Sequence, residues 1–304
     1  MLIGLHDAEK EHLKRSKIKF PNFALMKIAA WHKNKGDSVE WWNKDKIYDK
    51  VYSSKTFDFT PENPDLPPDT VKGGTGYRLF GNLPHKMDVC FPDYSIYPDC
   101  DYAIGFLTRG CPNNCSWCVV PKKEGGIRPC ANWEMLIRPD SDKLILLDNN
   151  ILACEYGINQ LAELTEIRYK IDLNQGMDIT LLTEENVAIL AKIKWLKYVR
   201  FSCDDGYKLP YFERMTELFR KHGIALSRVF IYVLVRKDLE AADCRVQGLH
   251  KICKNFNLYA QAERNSGIVP TKMQLEFAQK YVYKGLYKKE TWGQYCRRLG
   301  LDSD

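Results

Sequence analysis

From Tyr102 onward, short apolar segments alternate with amphipathic ones, and this rhythm constrains the fold more than any other feature of the sequence. Continuous apolar runs of this length are typical of buried parallel strands, and the segments between them have helical periodicity. The six predicted strands are YAIGFL, KLILLD, KIDLNQ, YVRFSC, RVFIYVLV and NLYAQAE. The predicted fold class is α/β, with six strand and helix units that could form an open, partial (β/α)6 barrel.

Helices are predicted between these strands, beginning near Glu155, Glu184, Tyr211 and Leu239. Thr183 precedes the second of them and has the side chain of a helix N-cap. The buried face of that helix is predicted to carry Val187, Leu190 and Ala191.

Residues 1–95 are predicted to form a smaller amino-terminal α/β domain. LIGL is its first strand, a helix runs from Pro21 to the stop signal Gly36, and VEWW and KVYSSKTFDF are further strands. The stretch PENPDLPPDTVKGGTG is rich in Pro and Gly, which favours a loop leading toward the next domain. The main domain is expected to span residues 96–265.

Residues 266–304 are predicted to form a helical carboxyl-terminal extension. Between Lys272 and Arg298 it holds seven Lys or Arg against two Glu. Six aromatic residues are interleaved with these charges, namely Phe277, Tyr281, Tyr283, Tyr287, Trp292 and Tyr295. Such a mixture can follow a phosphate backbone and stack bases, although an amphipathic helix that covers the sheet explains the same pattern. The net charge of +6 permits a polyanionic partner without requiring one.

The chain of 304 residues has no apolar run near the roughly 18 residues that cross a bilayer, and its start turns polar after five residues. We therefore expect a cytoplasmic protein with no membrane partner. In a reducing compartment, its eleven cysteines are more often metal ligands, catalytic groups or core residues than disulfides. An odd number also cannot be fully paired.

The segment RGCPNNCSWC at residues 109–118 carries three cysteines at spacings of four and three. Pro112, Asn113 and Asn114 favour an irregular turn that can point the thiols toward one centre. Structural zinc normally takes four ligands, and the chain has no second C-x-x-C pair. A [4Fe–4S] cluster held by three thiolates would keep one iron open. The loop follows the first strand of the series, where ligand sites gather in parallel α/β folds.

The pattern formed by Cys111, Cys115, Trp117 and Cys118 resembles the signature loop of radical S-adenosylmethionine enzymes. FLTRGCPNNCSWCVVPKKEG, LLDNNIL, LNQGMDITLLTEE and RFSCDD resemble the subgroup whose radical core follows an amino-terminal domain of cobalamin-binding type, and PNFALMKIAAWHKNKGDSVEWW resembles that domain. The resemblance implies a [4Fe–4S] cluster on the three cysteines, whose open iron chelates S-adenosylmethionine. It further implies an electron donor such as flavodoxin or ferredoxin, and a 5′-deoxyadenosyl radical that abstracts hydrogen from a substrate.

The resemblance also implies contacts with S-adenosylmethionine. Those expected at the methionine amine are Asp148, Asn149 and Asn150, which stand where the family often has Gly-Gly-Glu, although a simple strand-ending turn explains them equally well. Gln175 and Ser202 are expected at the ribose or the methionine carboxylate, and Asp204 and Asp205 at ribose hydroxyls or substrate. The adenine contacts are expected to be Trp117, Val233 and Tyr259.

Cobalamin is not expected, because Asp7 and His12 do not have the spacing of the base-off cobalamin motif. The amino-terminal domain is expected instead to gate the substrate or dock a partner. A second cluster on Cys90, Cys100 and Cys130 is the less favoured alternative to ordinary core cysteines. The alternative function is a non-catalytic metal-binding adaptor on nucleic acid. The basic tail favours RNA or a nucleotide as substrate, with a peptide or small metabolite as the other option.

Overall fold

A computed structural model describes residues 1–12, 20–264 and 267–301 of the chain. The protein divides into two compact units, Met1–Asp101 and Tyr102–Asp304. The boundary falls slightly beyond the predicted one at residue 95, and the predicted carboxyl-terminal extension is part of the second unit. Ser266, where that extension was expected to begin, and the side chain of His12 lie outside the described part of the chain.

The first unit is built on a parallel sheet with strand order β2-β1-β3-β4. Its strands are β1 Leu2–Asp7, β2 Ser38–Trp41, β3 Lys50–Ser54 and β4 Val71–Gly73. Its helices are α1 Ala8–His12, α2 Phe23–Asn34 and α3 His85–Asp88. β3 ends earlier than predicted, because the N–H groups of Thr56 and Phe57 donate to the Glu9 carboxylate. β4 lies inside the stretch predicted as a loop, since Val71 pairs with Tyr52.

The helix predicted from Pro21 is present as α2. Asn22 caps it, with the side-chain oxygen accepting from the Leu25 N–H at 3.2 Å, and Gly36 follows it with φ +83°. One face of α2 is buried and carries Leu25, Ile28, Ala29 and His32.

The six predicted strands of the second unit are confirmed in two parallel sheets, with orders β5-β8-β9 and β10-β11-β12-β13. The strands of this unit are β5 Ala103–Gly105, β6 Thr108–Arg109, β7 Arg128–Pro129, β8 Lys143–Leu146, β9 Lys170–Leu173, β10 Met177–Asp178, β11 Val199–Ser202, β12 Val229–Val235 and β13 Asn257–Ala262. β6 and β7 form an antiparallel pair. An isolated parallel bridge pairs Ile171 of β9 with Trp195, which lies four residues before β11. The fold class is α/β.

Four helices of the second unit begin within two residues of the predicted positions, at Glu155, Glu184, Leu209 and Leu239. The helices of this unit are α4 Val120–Glu124, α5 Glu155–Leu164, α6 Glu184–Lys192, α7 Leu209–Lys221, α8 Leu239–Ile252, α9 Lys272–Glu276 and α10 Trp292–Leu299. Thr183 caps α6 through a reciprocal capping box with Asn186. Val187 and Leu190 are buried, but Ala191 is exposed, because one residue beyond Leu190 the helix has rotated away from the core. Within the described ranges, no helix is long and apolar enough to cross a membrane.

The two faces of β12 have different environments. Val229, Ile231, Val233 and Val235 are fully buried in the hydrophobic core, whereas Phe230, Tyr232 and Leu234 are only partly buried. We call the side of the sheet that carries Phe230 and Tyr232 the open face. The core lies on the opposite side, where the strands meet the helices.

Five of the six aromatic residues of the carboxyl-terminal segment belong to this core, namely Phe277, Tyr281, Tyr287, Trp292 and Tyr295. Tyr283 is the exception, with 73% of its side chain exposed. Through these five residues the segment covers the sheet as an amphipathic element, and only the exposed Tyr283 is left to the alternative of a nucleic-acid contact.

Candidate metal centre

The cysteine loop is pinned where it begins. Gly110 has φ +88°, and a Cβ at that position would lie 2.3 Å from the carbonyl oxygen of Gly126. The N–H of Cys111 donates to the carbonyl of Gly125 at 3.1 Å. Only glycine allows this close approach, so the residue before the first cysteine fixes the path of the loop.

Cys111, Cys115 and Cys118 are all partly buried thiols on this one loop. A turn joins the last two, with the Cys118 N–H donating to the Cys115 carbonyl at 3.0 Å. Burial raises the pKa of Cys115 and of Cys118, and the neighbouring Cys111 raises both further. Among the described residues, however, no three His, Cys, Asp or Glu side chains are gathered as ligands of a metal ion.

Asp148, two residues after the end of β8, holds the backbone that leads into the cysteine loop. Its Oδ1 accepts from the N–H and the hydroxyl of Thr108 at 2.5 and 2.7 Å, and its Oδ2 accepts from the Leu107 N–H at 3.2 Å. Burial raises the pKa of Asp148 to about 6, although these hydrogen bonds act in the opposite direction. The carboxylate is therefore committed to the backbone of the loop.

The next two residues bind the same loop. Asn149 Oδ1 accepts from the Gly110 N–H at 3.1 Å, and Asn150 Nδ2 lies 3.6 Å from the Cys111 Sγ. Asn150 Oδ1 is buried without a hydrogen-bond partner. We call Asp148, Asn149 and Asn150 the brace. The side chains of Asp148 and Asn149 were predicted to meet a methionine amine, but here they bind loop backbone.

A second polar group lies beside the loop, formed by Asp178, Asp204 and Lys208, and we call it the carboxylate–lysine cluster. Lys208 Nζ is 3.4 Å from Asp178 Oδ1, and both side chains are about nine-tenths buried. Asn113 of the cysteine loop donates to Asp178 Oδ2 at 2.7 Å. Burial alone would raise the pKa of Asp178, but Lys208 and Asn113 hold it below its usual value.

Asp204 keeps a raised pKa, because its burial outweighs the attraction of Lys208 and a hydrogen bond from Ser202. Burial also opposes the charge on Lys208, yet Asp178 and Asp204 raise its pKa, so it stays protonated. The positive charge of Lys208 lowers the pKa of Cys115, against the larger effect of burial. The cluster and the cysteine loop therefore act on each other electrostatically.

Trp117, between the last two cysteines, is covered by a cation. The guanidinium carbon of Arg236 lies 4.6 Å from the centre of its ring, and Arg236 is 4.0 Å from Asp205. Arg236, which follows β12, thus joins Trp117 and Asp205, two of the residues that were predicted to contact S-adenosylmethionine or substrate.

Three other residues that were predicted to contact S-adenosylmethionine do not lie with the cysteine loop and the carboxylate–lysine cluster. Gln175 is exposed in the turn after β9. Val233 is fully buried in the core on the face of β12 opposite to Tyr232, so its side chain is closed to a ligand. Tyr259 lies on the open face, but its ring stacks on Phe230 at a centroid distance of 6.1 Å.

Sequence reasoning missed Asp178, Lys208 and Arg236. Asp178 ends β10 and Arg236 directly follows β12, whereas Lys208 lies six residues beyond β11; their segments are GMD, VRK and CDDGYK. A charged residue at or beyond the carboxyl end of a strand was the available signal, since ligand sites gather at this edge.

A search against models of known protein families found no match for this chain, and a search of curated proteins found no similar sequence.

Proposed function

We propose that this chain is a radical S-adenosylmethionine enzyme whose [4Fe–4S] cluster is held by Cys111, Cys115 and Cys118. The observation that carries the proposal is a loop with three partly buried thiols after β5, tied to the next parallel strand by Asp148 and Asn149. When bound, the cluster supplies an electron and an open iron site for reductive cleavage of S-adenosylmethionine to a 5′-deoxyadenosyl radical.

The donor set fits such a cluster. Three thiols without a fourth suit a cluster with one open iron better than structural zinc, which takes four ligands. Without metal, the raised pKa values of Cys115 and Cys118 keep these thiols protonated at neutral pH. Cluster binding therefore requires release of protons and convergence of three side chains, on a loop whose backbone is already fixed.

The proposed core is a partial (β/α)6 barrel. The six predicted strands are parallel and follow chain order within each of the two sheets, and an isolated bridge from Ile171 of β9 to Trp195 supports a continuation from the first sheet toward the second. In this arrangement, the cysteine loop and the carboxylate–lysine cluster share the carboxyl edge of the strands, where parallel α/β folds bind ligands.

The carboxylate–lysine cluster supplies what S-adenosylmethionine needs besides iron. The buried ammonium of Lys208 offers a fixed positive charge to the methionine carboxylate, and Asp204 and Ser202 offer acceptors to the ribose hydroxyls. Trp117 offers a flat ring to the adenine once Arg236 is displaced. An electron donor such as flavodoxin or ferredoxin completes the reaction.

The first test is anaerobic reconstitution followed by iron and sulfide analysis. Wild-type protein should hold at least about three irons per chain, and Cys115→Ala should lose them. Cys244→Ala is the matched control, since Cys244 is an exposed thiol outside the loop. Iron content that is unchanged in Cys115→Ala would reject the cluster.

The rival function is a non-catalytic metal-binding adaptor on nucleic acid. It predicts bound metal without chemistry, because a structural site has no open position. Reduced, reconstituted enzyme should instead convert S-adenosylmethionine to 5′-deoxyadenosine. Metal binding with no 5′-deoxyadenosine above that of Cys115→Ala would favour the adaptor. We take RNA as the substrate class, because the second unit also has an aromatic cavity beside lysine side chains.

A further inference from the structure

A small aromatic cavity opens on the open face of the second unit, near the amino ends of β11, β12 and β13. Its volume is about 240 Å³, and its walls include Tyr198, Phe230, Tyr259, Tyr283 and Lys288. Pockets for drug-sized ligands are larger, roughly 300–1,000 Å³. The cavity therefore suits a single flat ring system, and none of its lining residues is acidic.

The rings of this cavity form a row across three strands. Tyr198 and Phe230 lie 5.1 Å apart between ring centres, and Phe230 and Tyr259 lie 6.1 Å apart with 26° between their planes. The row is not closed, because 40% of Tyr259 and 73% of Tyr283 are exposed. Exposed ring faces beside a cavity provide a stacking surface.

Positive charge surrounds the row. Lys197 Nζ lies 4.7 Å from the centre of the Tyr198 ring, and the exposed Lys288 lines the rim. The pKa of nearby His250 is lowered, first by burial and then by Lys288 and Lys254. The field at this end of the sheet therefore favours an anionic ligand.

The wall that carries Tyr283 has unusual local structure. A π-helix spans Phe277–Val282, and Gly285 follows with φ +71°. Short π-helical segments occur frequently at functional sites. Here the segment keeps Tyr281 fully buried while Tyr283, two residues later, points away from the core.

We propose that this cavity stacks one unpaired base of single-stranded RNA, with Lys288 and Lys197 contacting the adjacent phosphates. Aromatic platforms flanked by basic residues bind single strands in this way, because every base has a flat face. The assignment of that RNA as substrate rests on the proposed function, whereas the binding itself does not. Tyr259 and Gln261 are exposed on the same face of β13. This face gives the RNA a path from the cavity toward the carboxyl end of the sheet.

The test measures fluorescence anisotropy of a labelled 12-nucleotide single-stranded RNA at about 50 mM salt, where phosphate contacts are strongest. Tyr283→Ala and Tyr198→Ala should each weaken binding by about five- to 150-fold, the range expected for loss of one base stack. Tyr283→Phe should bind as wild type does, because it keeps the ring. Tyr211→Ala removes a partly exposed tyrosine from α7 and is the matched control.

Several outcomes would overturn the inference: no binding by wild type, equal binding by Tyr283→Ala, or equal affinity for duplex RNA of the same length. The same preparations are assayed for 5′-deoxyadenosine. Its formation without RNA binding rejects the cavity and leaves the proposed function standing. RNA binding that depends on Tyr283, in a protein that holds no cluster, supports the cavity and rejects the proposed function.

Discussion

The two ends of the parallel strands in the second unit are held by different chemistry. At the carboxyl ends, buried polar groups such as Asp148 and Lys208 bind loop backbone or one another. Toward the amino ends, rings such as Tyr198 and Phe230 pack side by side, with the Asp172–Arg200 ion pair among them. Hydrogen bonds fix a position, whereas ring contacts leave faces open. The first end is suited to holding a reactive centre, and the second to stacking a ligand.

Breaking the Asp172–Arg200 ion pair should have the largest effect on stability, and it tests the aromatic end of the strands. Arg200 donates two hydrogen bonds of 2.7 Å to the carboxylate of Asp172, and both side chains are largely buried. Arg200→Met should lower the free energy of unfolding by about 3–5 kcal/mol, because it leaves a buried carboxylate unpaired. Urea denaturation measures the loss.

The double variant Asp172→Leu with Arg200→Met is its control. It should recover most of the lost stability, since no buried charge remains. A loss below about 1 kcal/mol in the single variant would mean that the aromatic end does not depend on this pair.

The next largest effect is the pH dependence of stability that Asp148 causes at the carboxyl ends of the strands. Its pKa of about 6 lies above its usual value of 3.8, so it stabilises the fold most below pH 4, and that stabilisation is lost as the pH rises through 6. Between pH 4 and pH 7, wild type should lose about 2.4 kcal/mol relative to Asp148→Asn, which does not titrate. Denaturation curves at several pH values measure this difference, and parallel profiles of the two proteins would contradict it.

The smallest effect concerns the start of the cysteine loop. Gly110→Ala should cost about 2 kcal/mol of unfolding free energy, because its Cβ meets the Gly126 carbonyl and its φ of +88° suits only glycine. Gly126→Ala is the control, since a Cβ there has open space and an ordinary φ. Thermal or urea unfolding compares the two. Equal stability of both variants would show that the loop has another path open to it.

Periodicity predicted most of the architecture. The strands of the second unit and the helix capped by Thr183 follow from local patterns, because apolar runs, caps and glycine stops act within a few residues. The prediction that Ala191 is buried was wrong, because it lies one position beyond the buried Leu190. The strand β4 was missed because Pro and Gly surround it.

The site was less predictable, since it depends on contacts between distant residues. Asp148 and Thr108 are 40 positions apart, so sequence gives no sign that this carboxylate binds loop backbone. Which face a strand residue occupies depends on the sheet, and Val233 was assigned to the ligand side when its side chain lies in the core. The metal and cofactor predictions stay predictions until iron and 5′-deoxyadenosine are measured.

The brace also has an entropic consequence. A loop free to sample many conformations would lose about 1–2 kcal/mol of backbone entropy for each residue ordered when metal binds. Because Asp148 and Asn149 already order residues 107–110, the share of that cost that belongs to this stretch falls on folding of the polypeptide rather than on assembly of the metal centre. The backbone that enters the cysteine loop should therefore be the same in the metal-free and in the loaded protein.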